Sequence, residues 1–139
     1  MNRVSAIALL AIASVAMCAG AIAQQPGLKA NIPFDFTVGN TWMPAGEYTI
    51  ASPTHEVLAL KSGSHIALVV STQSNDESKS GSKLVFDRYG NQYFLHEVLS
   101  PNHVSLNLKI APSKAEKRAR ESVLEAQLPG GEQTMVAAR

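Results

Sequence analysis

Apolar and polar residues alternate with a period of two along most of this chain. In "LKANIPFDFTV" Leu28, Ala30, Ile32, Phe34, Phe36 and Val38 fall on one side, while Lys29, Asn31, Asp35 and Thr37 fall on the other. A run of six matches predicts a strand with one buried face. Pro33 has no N–H for a ladder, which predicts either an edge strand or a bulge there. "GNTWMPAG" supplies turn chemistry, with Pro44 fixing φ and Gly39 and Gly46 tolerating positive φ. The chain then returns as "EYTIAS", with Tyr48 and Ile50 on one face.

Further short strands follow between turn residues. Leu58 and Leu60 share a face in "HEVLALKS", and Ile66, Leu68 and Val70 are aligned in "HIALVVST". "TQSNDESKSGS" is too polar to bury itself and reads as a mobile loop. "KLVFDRYGNQYFLHEVL" predicts a hairpin turning at Gly90 and Asn91, through a two-residue type II′ or longer turn. "HVSLNLKI" places Val104, Leu106, Leu108 and Ile110 on one face.

The period changes near residue 113. Ser113 and Glu116 form a capping box, Pro112 precedes it, and "PGG" stops a helix over 113–128. Ala115, Ala119, Val123, Ala126 and Leu128 give that helix only a thin apolar stripe, and its basic cluster reads as a solvated face. Residues 129–139 are expected to be a disordered tail. The pattern therefore predicts a mainly β fold, an antiparallel sandwich or partly closed barrel of about seven strands over 24–112, with one C-terminal helix.

The first 23 residues read as an export signal. Arg3 gives a positive start, an apolar run from Val4 to Met17 follows, and Ala21, Ile22 and Ala23 form a small-residue site with cleavage before Gln24. The run is shorter than the roughly 20 residues a membrane span needs, and Met17 ahead of Cys18 does not suit lipidation. Cleavage would remove Cys18, the only cysteine, and with it any disulfide or thiol chemistry. It would also remove Arg3, leaving 11 basic against 11 acidic residues, a balance that argues against nucleic acid as a partner. Location is thus expected to be the periplasm, cell envelope or exterior, with no membrane span after cleavage.

Three blocks carry a resemblance. "IPFDFTVGNTWMPAGEYTI" (32–50), "KLVFDRYGNQYFLHEV" (83–98) and "SKAEKRA" (113–119) resemble a family of small exported bacterial proteins of unknown function. Members typically carry IPFxFxVGxxxLPAGxYxV, LxFxRYGxxYFL and a closing SxAExxxA; Met43 stands here where that family usually has leucine. The resemblance implies fold and export, and no reaction.

Chemistry is sparsely marked. The sequence has no nucleophile elbow, H-E-x-x-H, P-loop or dinucleotide fingerprint, and no cofactor is expected. His55 and His96 each precede a glutamate, but strand neighbours point to opposite faces, so a metal site would have to join histidines from different strands, His55 and His65 being candidates. A two-residue turn pairs Tyr89 with Gln92, Asp87 with Phe94 and Val85 with His96. Asp87 and His96 then lie diagonally on one face within reach, a possible general base and its orienter or a surface ion pair. The same register puts Glu97 in the core row of Leu84, Phe86, Tyr93 and Leu95, which demands a strand end, a bulge or another turn. Trp42, the only tryptophan, is expected at a turn tip, either folded over the core or marking a contact surface. Two functions fit: a non-enzymatic exported module binding a protein, glycan or envelope component, or a small hydrolase or metal-dependent enzyme using His96 and Asp87.

Overall fold

The computed structural model describes residues 27–103, 106–128 and 130–139. The export signal, its expected cleavage between Ala23 and Gln24, and Val104 lie outside them. In chain order the elements are β1 (Leu28–Ile32), β2 (Phe36–Val38), β3 (Thr41–Met43), β4 (Gly46–Thr54), β5 (Val57–Ser62) and β6 (His65–Val70). Then come β7 (Thr72–Gln73), β8 (Ser82–Tyr89), β9 (Gln92–Leu99), β10 (Leu108–Lys109), α1 (Lys114–Glu125) and β11 (Gly130–Ala138).

The strands hydrogen-bond in the order β3-β2-β9-β8-β11-β1-β4-β5-β6. β10 bridges β9 to β7, and β7 follows β6 after the single residue Ser71. That bridge carries the far end of the sheet back to β9, so the sheet curls into a nearly closed barrel. All pairs are antiparallel except β2 with β9. The expected β class and C-terminal helix are present, and the architecture is the barrel.

Pro33 does more than bend an edge. It divides the long alternating run into β1 and β2, because pairing cannot continue through a residue without an N–H. β1 is an interior strand between β11 and β4, which corrects the edge assignment, and β2 leaves to pair with β9. The even residues still point inward: Leu28, Ala30, Ile32, Phe36 and Val38 are buried. The barrel interior is filled by side chains around an aromatic centre, in which Phe36 meets Tyr48 and Phe86 edge-on and Phe34 stacks on Tyr93 at 3.9 Å between centroids. Tyr48 keeps its hydroxyl satisfied by donating to the Pro44 carbonyl at 2.6 Å.

The expected disordered tail is instead β11. It pairs with β8 over nearly its whole length and with β1 at Ala30 and Ala138, and Lys29 and Arg139 exchange two backbone hydrogen bonds of 2.7 and 2.8 Å. "TMVAA" lacks strong alternation, since Met135 and Ala137 face solvent and only Ala138 is fully buried. Backbone pairing on both sides rather than side-chain burial holds this strand, and hydropathy does not register that. The 72–82 stretch is also partly packed: Thr72 and Gln73 pair with β10, and Ser74 and Ser78 are buried.

Candidate functional site

The β8–β9 hairpin turns as expected, with Tyr89 opposite Gln92 and positive φ (62°) at Gly90 but not at Asn91, the pattern of a type II′ turn. Asp87 faces Phe94 and Phe86 faces Leu95, but Val85 then faces Glu97. His96 is the extra residue of a β-bulge. The bulge resolves the conflict over Glu97: the carboxylate moves out of the core row to the row of Val85 and Asp87, and Val98 enters the core opposite Leu84. Glu97 is buried there and accepts a hydrogen bond from the Ser74 hydroxyl.

The same bulge sets His96 on the outer face beside Asp87, with Nδ1 3.2 Å from Asp87 Oδ2. The contact is a close approach rather than an aligned hydrogen bond, since the buried Nδ1 has no hydrogen-bond partner of suitable geometry. Asp87 Oδ1 also accepts from Gln133 Nε2 at 3.3 Å, so β11 helps to hold the carboxylate.

α1 closes over this pair. Ser113 Oγ accepts from the Glu116 N–H at 3.1 Å, which is half of the expected capping box. The Glu116 carboxyl turns inward, where Tyr89 Oη donates to its Oε1 at 3.4 Å and where Asp87 and His96 face it. Burial above all, and then the negative charge of Asp87, push the Glu116 carboxyl above the ordinary glutamate range. Burial likewise raises the Tyr89 phenol, and Asp87 and Glu116 add to it. Val123 and Ala119 seat the helix on Tyr89 and Phe94 in a small second core. Glu116, Ala119 and Val123 share one helix face by their spacing, the sequence signal that marks Glu116 as inward.

Asp87 and His96 therefore meet as expected, with Glu116 and Tyr89 added. The cluster is shut in, the Asp87 and His96 side chains being only 13 % and 18 % exposed. Tyr89 also lines a hollow of about 210 Å³ between α1 and the start of β11. The other histidines stand elsewhere and exposed: His55 in the β4–β5 turn, His65 at the head of β6, and His103 after β9. Among the described residues no group of three His, Cys, Asp or Glu could hold a metal ion, and no helix is long and apolar enough to cross a membrane.

Trp42 lies within β3, opposite Thr37, rather than at a turn tip, and is 60 % exposed. Its neighbour Met43 takes the core position instead. The β2–β3 hairpin lies against β6, so close that a Cβ on Gly39 would stand 3.2 Å from Val69. Comparisons with family models, with characterised proteins and with solved structures find no match for this chain.

Proposed function

We propose that this protein is an exported, non-enzymatic β-barrel module that acts by binding a protein, glycan or other component of the periplasm or cell envelope. The observation that carries this reading is Trp42, a large indole held out to solvent on a paired strand while its neighbour fills the core. A rigid backbone presenting an exposed aromatic is suited to contact, because little side-chain entropy is lost on binding. The signal-like N-terminus supports export. The test is capture from envelope extracts by wild type and Trp42→Ala. The alanine variant keeps its stability to within about 0.5 kcal/mol, as an exposed substitution should, and loses the captured component. Capture unchanged by the substitution removes the reading.

A second reading, a small hydrolase or metal-dependent enzyme built on Asp87 and His96, draws on their 3.2 Å contact. It requires α1 to open, and predicts turnover of an ester or phosphoester that is lost in His96→Ala and raised when the helix is loosened.

A further inference from the structure

Of the ionisable side chains on α1, Glu116 alone is buried, at 5 % exposure, and it is the one charged group that the helix turns toward the barrel. Its carboxyl lies within hydrogen-bonding reach of Asp87 on β8 as well as of Tyr89 Oη. Two carboxyl groups that share a buried site do not both ionise. Asp87 has Gln133 Nε2 as a donor and His96 beside it, so the shared proton belongs on Glu116. The other elements add little charge of their own. β9 brings His96, whose buried Nδ1 has no hydrogen-bond partner. β11 brings the neutral Gln133 opposite Asp87, its acid Glu132 being turned to Arg88 at 3.6 Å. Arg120, one turn further along α1, acts on Tyr89. Beyond this group the helix has a narrow seat, with Ala115, Ala119 and Val123 resting on Tyr89 and Phe94.

Glu116 also has a second place to go. It closes the capping box that Ser113 opens, and in that motif the carboxylate reaches back to the N–H of the cap residue. Only the Ser113 half of the box is made here, because the carboxyl is turned inward to Tyr89. A helix N-terminus favours negative charge, so ionisation shifts the preferred position of this acid from the barrel to the cap. We propose that Glu116 is a two-position latch: protonated, it pins α1 over the Asp87–His96 pair, and ionised, it turns out to the Ser113 N–H and lets the helix lift, opening that pair to solvent. Burial and the charge of Asp87 raise the carboxyl above the 4.5 of a free glutamate. The helix is therefore held shut below about 4.5 and is released as pH rises through the raised value. The latch rests on neither reading of function; on the enzyme reading it sets the pH above which the pair is reached.

Hydrogen exchange of the full chain, followed from roughly pH 4 to pH 9 and corrected for intrinsic rates, tests this. The opening equilibrium of Lys114–Glu125 is expected to rise by up to about tenfold per pH unit between 4.5 and the raised value, one proton being released, while β8 and β9 stay protected. Glu116→Gln keeps an acceptor for Tyr89 and cannot ionise, so its helix should stay shut with no dependence on pH. Asp87→Asn removes the second negative charge and should narrow the window from its alkaline end. Carbethoxylation of His96, read against the exposed His55 and His65 of the same chain, should follow the helix. On the alkaline side it should run about tenfold slower in Glu116→Gln than in wild type. Helix exchange that ignores pH in wild type overturns the proposal, as does the wild-type response surviving in Glu116→Gln or an unmoved window in Asp87→Asn. A helix that opens only together with β8 and β9 overturns it too, since the event would then be unfolding of the whole barrel.

Discussion

Glu116 is an acid seated where its neutral form fits best. Its carboxyl is raised above the 4.5 of a free glutamate by burial and by the charge of Asp87, so the folded chain holds a proton that the unfolded chain has released. The stabilisation from that proton is complete below about 4.5 and is lost as pH rises through the raised value. Glu116→Gln keeps an acceptor for Tyr89 and needs no proton. It is expected to flatten the fall in melting temperature across that window and to melt above wild type on its alkaline side; a pH series of thermal melts reads both. Tyr48 offers a second test at this scale. Tyr48→Phe removes the donor to the half-buried Pro44 carbonyl, and should cost about 1 kcal/mol in urea unfolding with an unchanged slope.

Elements show what the sequence could and could not tell. Alternation announced β1, β4 and β5, because each has one wet face and one dry, and turn chemistry at Gly90 announced β8 and β9, whose two faces are both largely buried. The same register announced the Asp87–His96 meeting, and it named a bulge as one of three answers to the misfit at Glu97, but not that the bulge falls at His96 and moves Glu97 out of the core row. β11 was illegible: "TMVAA" mixes apolar residues on both faces, and its place comes from partners 40 or more residues away in β8 and about 100 away in β1. β6 was legible as a strand, but its apolar row faces out, since alternation identifies the two faces and not which one meets the core. Tight packing where α1 meets β11 gives a test at this scale. A Cβ on Gly130 would stand 2.5 Å from Val123 Cγ1, so Gly130→Ala should destabilise by about 1 to 3 kcal/mol through overpacking. Adding Val123→Ala should recover part of that loss, and a double-mutant cycle of denaturation curves measures the coupling.

At the scale of the whole molecule, β11 joins two ladders, one running from β3 to β8 and the other from β1 to β6, that are otherwise linked only through the short β9-β10-β7 bridge. Deleting residues 130–139 leaves β8 and β1 with facing unpaired edges. The expected result is loss of a single cooperative melt and a gain in aggregation, read by near-ultraviolet circular dichroism and light scattering. A truncated chain that unfolds cooperatively within about 1 kcal/mol of the full one would show that β11 is dispensable.

The position of β11 also sets an order of events. A ribosome delivers the N-terminal segments first, at a few residues per second or faster, yet the strand that locks β1 to β8 is made after both of them. Until Ala138 is out, β1 and β8 have no common neighbour and the barrel has no seam to close. Contacts of such long sequence separation also form slowly. Before β11 is made, β1 can pair only with β4 and β8 only with β9, so the join between the first strand and the eighth is a late event in folding.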